Sequence, residues 1–141
     1  MRLILFTDGG ARGNPGPAAA GGIVTDEEGN VLDSFSRYLG VCTNNAAEYR
    51  ALIEGLTRTR RICTAAPCGE VEVRMDSELI VKQMRGEYRV RHPQLKPLYE
   101  EARALVRAFP CPVAFVHVPR EENATADRLV NEALDRSAKG Q

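Results

Sequence analysis

Apolar residues along the chain first form an unbroken run, then alternate with polar ones, then recur at helical spacing. Leu3 to Thr7 reads as a buried strand. The following segment, Gly9-Gly10-Ala11-Arg12-Gly13-Asn14-Pro15-Gly16-Pro17, reads as a turn-rich loop, because Gly and Pro punctuate strands rather than continue them. Ala20 to Val24 and Val31 to Leu39, joined by the polar turn Thr25 to Asn30, predict a hairpin, so the first third is three antiparallel strands. Thr43 and Asn44 offer cap oxygens for a helix to about Ile62, with Arg50, Glu54, Arg58 and Arg61 on its wet stripe and Leu52, Ile53 and Leu56 on its dry one. Pro67-Cys68-Gly69 breaks the chain. Period-two alternation from Glu70 to Met75 then gives a fourth strand, followed by a short helix over about Ser77 to Met84. Gly86 to Pro93 is irregular. Gln94 to Phe109 is helical, with Leu98, Ala102, Leu105 and Phe109 inward and Pro97 in the first turn. Pro112 to Val118 is a fifth strand, Pro119 to Glu122 a loop, and about Asn123 to Ser137 a last helix with Ala126, Leu129, Val130, Ala133 and Leu134 on its core face. The order βββαβααβα predicts an α/β domain over residues 1–138, one mixed sheet with helices on both faces, and a frayed tail over 139–141.

Composition adds exclusions. The longest apolar runs fall far short of a membrane span, and the N-terminal run is too short for a signal h-region and lacks a small-residue cleavage site, which points to the cytosol and to no membrane partner. Cys42, Cys63, Cys68 and Cys111 form no C-x-x-C pair, and two His residues complete no zinc set, so reduced structural thiols are expected; a Cys63–Cys68 or Cys63–Cys111 disulfide is the alternative. With 19 Lys+Arg against 19 Asp+Glu the formal net charge is zero, which taken alone argues against a nucleic-acid partner.

Four acids qualify that conclusion, because each ends an element or interrupts a dry face. Asp8 ends the first strand, Glu48 sits on the apolar stripe of the long helix, Asp76 ends the fourth strand, and Asp127 lies in the first turn of the last helix. Each has an ordinary explanation alone: a turn opener for Asp8, a helix cap for Asp76, a dipole partner for Asp127, a buried Arg pair for Glu48. Jointly, elements sharing one sheet can bring the four together, where they cannot all stay ionised without cations. Hard oxygen ligands in that number suit Mg²⁺ or Mn²⁺, and two such ions suit in-line hydrolysis of a phosphodiester.

The same residues carry a resemblance. Thr7-Asp8-Gly9-Gly10-Ala11-Arg12-Gly13-Asn14-Pro15-Gly16-Pro17, Thr43-Asn44-Asn45-Ala46-Ala47-Glu48, Met75-Asp76-Ser77-Glu78-Leu79-Ile80 and Val118-Pro119-Arg120-Glu121-Glu122-Asn123-Ala124-Thr125-Ala126-Asp127, in this order, resemble ribonuclease H of type 1 along nearly the whole chain. The resemblance implies a ribonuclease H-like fold with a five-stranded mixed sheet. It implies an endonuclease acting as a monomer, without a protein partner, on the RNA strand of RNA–DNA hybrids, leaving 5′-phosphate and 3′-hydroxyl ends. Asp8 would bridge two ions, Mg²⁺ with Mn²⁺ as a substitute, with Glu48 and Asp76 on one and Asp127 on the other. Gly9, Gly10, Asn14, Asn44 and Asn45 would contact RNA, whose 2′-hydroxyl sits in the wide minor groove, and Thr43 with Asn44 would reach a DNA phosphate.

Lys82, Arg85, Arg89, Arg91 and Lys96 face one acid, Glu87, within a single stretch that also holds Tyr88 and His92, a composition suited to gripping a phosphate backbone. Many relatives carry a longer basic protrusion with Trp residues here; this chain has no Trp, which implies a shorter grip, with Arg89 the residue carried over to it. Relatives also place a mobile His before the last Asp, whereas His117 lies in a strand pattern, leaving Arg120, Glu121 or Glu122 to share that work. Glu78 stands where some relatives contact RNA through Gln. A catalytically silent hybrid-binding module is the competing function, and the intact acid set argues against it; a resolvase or integrase subunit acting on DNA is weaker still. The zero net charge then becomes a sum of an acidic metal site and a basic strip.

Overall fold

The structure, a computed structural model describing residues 1–139, contains strands β1 (Arg2–Ala11), β2 (Gly16–Thr25), β3 (Val31–Cys42), β4 (Glu70–Met75) and β5 (Val113–His117). Its helices are α1 (Asn44–Ala65), α2 (Glu78–Met84), α3 (Lys96–Arg107) and α4 (Ala124–Lys139), the last preceded by a 3-10 turn over Arg120–Asn123. The strands form one sheet in the order β3-β2-β1-β4-β5. The β1–β2 and β2–β3 pairs are antiparallel, and the β1–β4 and β4–β5 pairs are parallel.

Successive residues of β2 show how both faces are covered. Ala19 packs with Val130, Ala133 and Leu134 of α4, whereas Ala20 packs with Phe35 and with Ala51 of α1. The helices therefore lie on opposite faces. The larger core is on the α1 side, where Leu3, Leu5, Val71 and Val73 of the two central parallel strands meet Leu52 and Leu56 of α1 and Ala102 of α3. α4 can press onto β2 because Gly21 has no side chain; a Cβ there would lie 2.6 Å from the Ala126 carbonyl oxygen.

The expected elements are present in the expected order, with three differences. β1 runs through Gly9, Gly10 and Ala11, which pair with Ala20, Ala19 and Ala18, and β2 already begins at Gly16, so the turn is confined to residues 12–15. Small partners on β2 hold the glycines in the ladder. Residues 120–123 form a 3-10 turn continuous with α4 rather than an open loop, and Lys139 closes α4 instead of fraying; residues 140–141 lie outside the described ones. Lastly, Cys63 and Cys68 form a disulfide, so the expectation of reduced thiols holds only for Cys42 and Cys111. The chain folds back after α1 and sets the two Cα atoms 5.4 Å apart, within bridging distance. Among the described residues no helix is long and apolar enough to cross a membrane.

Candidate active site

β1 is longer than its parallel neighbour β4, and their last paired residues are Phe6 and Arg74. Asp8 and Asp76 thus leave adjacent strands at the same end of the sheet, the end where α1 begins. Here the carboxylate oxygens of Asp8, Glu48 and Asp76 lie within 4.8 Å of one another. Asp8 and Glu48 are buried, 8% and 7% exposed; Asp76 is half-buried. Asp127, half-buried in the first turn of α4, lines the same open cleft of about 430 Å³. The four predicted acids are together.

The ordinary explanations fail for Asp8, Asp76 and Glu48, whereas Asp127 does sit in the first turn of α4, where the helix dipole favours it. Asp8 is paired within a strand and opens no turn. The cap of α2 is Ser77, whose Oγ accepts from the Ile80 N–H at 3.3 Å, and not Asp76. Glu48 accepts a hydrogen bond from the Gly9 N–H and has no Arg partner among the described residues. That contact explains Gly9, where a Cβ would lie 2.3 Å from the Ala47 carbonyl carbon and oxygen. Its main-chain donor is therefore committed to Glu48. Gly10 differs, since a Cβ there would meet only Val130 Cγ1 at 3.8 Å.

The electrostatics follow from this crowding. Burial pushes the Asp8 carboxyl up to about 7, with the charges of Asp76 and Asp127 adding to it against a hydrogen bond involving Glu48. Glu48 is driven well above the ordinary carboxylate range by burial and then by Asp8. The one ion-pair contact to the four acids among the described residues is Arg120 Nη2 to Asp127 Oδ1, a long 3.7 Å from an exposed side chain. Too little positive charge is present to offset three converging carboxylates. An all-oxygen donor set with no His or Cys beside it fits a hard divalent cation.

The predicted substrate contacts divide. Asn14 Oδ1 accepts from the Asn44 N–H at 3.0 Å, Asn44 Oδ1 from the Ala11 N–H at 2.8 Å, and Thr43 Oγ1 from Ala46 N–H at 3.2 Å. The two asparagine oxygens fasten the end of β1 and its connection to β2 onto the start of α1, which Thr43 caps. Asn44 is therefore a strut rather than a second cap. Asn14, Thr43, Asn44 and Asn45 line a polar cleft with His92 and Gln94, and the last two asparagines also line the acidic cleft, so the two adjoin. Arg89 is not brought there; it lines a separate depression with Tyr88, Lys96 and Tyr99. His117 ends β5 opposite Met75 and is exposed, and the acidic cleft is lined by Arg120 instead.

One participant went unnoticed in the sequence. Asn123, 1% exposed, donates through Nδ2 to the Thr7 carbonyl at 2.9 Å and to Asp76 Oδ1 at 3.4 Å, tying the 3-10 turn to both acid-bearing strands. Its only signal was its place just ahead of a helix in the fourth motif.

A five-stranded mixed sheet of this order, with acids gathered at one end of its central strands, is a ribonuclease H-like domain. A family model described as reverse transcriptase-like matches residues 6–133. The chain is 43% identical over 139 residues to the bifunctional protein Rv2228c of Mycobacterium tuberculosis, covering 98% of this chain and 37% of that protein. It is 40% identical to ribonuclease HI of Halobacterium salinarum over 136 residues, covering 95% and 65%. The structure of LC11-RNase H1, isolated from compost by a metagenomic approach, superposes with a TM-score of 0.92 at 50% identity and covers 97% of this chain and 98% of that one. The same protein has been solved in complex with an RNA/DNA hybrid. The chain belongs to the ribonuclease H family, type 1. It spans little more than a third of the length of the mycobacterial relatives it matches.

Proposed function

We propose that this chain is an endonuclease that hydrolyses the RNA strand of RNA–DNA hybrids with two divalent ions, Mg²⁺ with Mn²⁺ as a substitute, giving 5′-phosphate and 3′-hydroxyl ends. The observation that carries the reading is the convergence of Asp8, Glu48 and Asp76 within 4.8 Å without a compensating side-chain cation. Asp8 would bridge the ions, with Glu48 and Asp76 on one and Asp127 on the other. When bound, such ions supply a water nucleophile and neutralise the leaving oxygen, so no protein nucleophile is needed.

The rest of the chain positions and selects. Gly9 N–H orients Glu48, and Asn123 orients Asp76. With their oxygens held internally, Asn14 and Asn44 keep amide N–H groups for the 2′-hydroxyl that marks RNA, beside Asn45 and the bare backbone of Gly10. Thr43 and the start of α1 face a phosphate of the DNA strand, and Arg89 grips the backbone farther out. A relative at 50% identity that has been solved with a hybrid supports this substrate.

The test is cleavage of one labelled RNA paired in turn with DNA and with RNA, with each ion and with chelator. Cleavage of the hybrid alone, lost with chelator and in Asp8→Asn while hybrid binding persists, is expected. Binding without cleavage under every ion would instead establish a silent binding module.

A further inference from the structure

Cys63 lies in the last turn of α1, Cys68 in the turn before β4, and Cys111 in the connection from α3 to β5. The three Sγ atoms lie within 4.8 Å of one another, although Cys111 is far from the other two in sequence. Cys63 is 5% exposed in the core, and Cys68 and Cys111 are half-buried against it. Cys63 and Cys68 are bridged while Cys111 keeps its thiol, so the cluster holds one more sulfur than a disulfide uses.

We propose that, once the disulfide is reduced, Cys63, Cys68 and Cys111 form a thiolate site for a soft divalent cation of the Zn²⁺ class, at the opposite end of α1 from the carboxylates. A dithiol donates two electrons and two protons to the Cys63–Cys68 bond and becomes a disulfide itself. The three thiols then release three protons as their sulfurs bind the cation. Tetrahedral ligation at Zn–S distances of about 2.3 Å sets sulfurs roughly 3.8 Å apart, which side-chain adjustment reaches from the observed spacing. The C-x₄-C spacing of Cys63 and Cys68 is also that of a metal-binding pair. Three thiolates leave the fourth tetrahedral position to solvent.

The bridge and the ion would differ in what they join. The disulfide ties α1 only to the adjoining turn. The ion would also tie in the entry to β5, closing the far end of the sheet, where the Val71 N–H already donates to the Pro112 carbonyl at 2.9 Å.

The test is Co²⁺ titration of the whole chain after reduction with a phosphine and its removal, with Mg²⁺ in excess to occupy the carboxylates. Thiolate ligation gives an intense sulfur-to-cobalt charge-transfer band that oxygen ligands cannot produce. A band saturating at one Co²⁺ per chain, displaced by Zn²⁺ and weakened at least 100-fold in affinity in both Cys111→Ser and Cys68→Ser, is expected. Circular dichroism of each variant confirms that it is folded. No band in the reduced wild type, or an unchanged band in folded Cys111→Ser, overturns the site. Hybrid cleavage in Mg²⁺ is a separate readout, so either reading can fail without the other.

Discussion

Asp8 illustrates why a carboxylate can be the least stable feature of a protein and the centre of its chemistry. Its carboxyl is held up to about 7, and Glu48 also lies well above its ordinary range, both chiefly through burial. A group raised in the native state binds its proton more readily there than in the unfolded chain. Between about pH 4 and 7 the native state therefore carries more protons, and stability falls as pH rises through that window. The carboxylates with lowered values, Asp26 beside Asn30, Glu54 beside Arg58, Glu72 beside Arg74 and Glu78 beside Lys82, act in the opposite sense only below it. Without metal, the melting temperature is expected to drop by several degrees between about pH 5.5 and pH 8, and Mg²⁺ at the higher pH should recover most of the loss. Asp8→Asn should flatten the dependence. Calorimetry in chelator and in excess Mg²⁺ measures both. A melting temperature that rises across this window would show that the acids are not mutually destabilising.

Elements bounded by strong local signals were legible in the sequence. β4 was read at Glu70 to Met75 because alternation there is strict, and α1 was read because Thr43 caps it and its dry stripe is continuous. Glu48 stood out on that stripe, which is why it could be joined to Asp8 and Asp76 before any geometry was known. What local pattern could not disclose was pairing. Gly9 and Gly10 read as a turn because strand propensity ignores the alanines of β2 opposite them, and the cysteines could be joined only as alternative pairs, Cys63–Cys68 or Cys63–Cys111, because the end of α1 and the two connections meet only in the fold. Asn123 belongs with these, since its value lies in reaching β1 and Asp76 from the 3-10 turn. Asn123→Ala leaves the buried Thr7 carbonyl without that donor and should cost about 1–3 kcal/mol of stability by denaturant unfolding. It also frees Asp76, so kcat on a hybrid should fall by roughly tenfold, about 1.4 kcal/mol, with KM little changed. An Asn123→Ala variant of wild-type stability would remove Asn123 from the framework of the site.

At the scale of the molecule, zero net charge conceals a separation. The acidic cleft lies where β1 and β4 end, whereas Arg89, Arg91 and Lys96 make no ion pair among the described residues, and Arg89 and Lys96 line a depression apart from the cleft of Asn14 and Asn44. Not all of the basic strip is free. Lys82 is paired with Glu78 at 2.9 Å, and Arg85 lies 3.6 Å from Glu87 while donating to the Phe115 carbonyl. Fewer cations than the composition suggests can then meet phosphates, and the hybrid affinity should fall with salt less steeply than five contacts would require. Each phosphate neutralised contributes about 0.7–0.9 to the slope of log affinity against log salt. Arg89→Ala is expected to lower that slope by about 1 and to weaken every hybrid alike, since a backbone contact reads no bases. Lys82→Ala should leave the slope nearly unchanged, because its charge is already matched. Binding titrations of both variants across a salt series, in Ca²⁺ to prevent cleavage, separate the two. An unchanged slope in Arg89→Ala would move the grip on the backbone away from this segment and onto the start of α1.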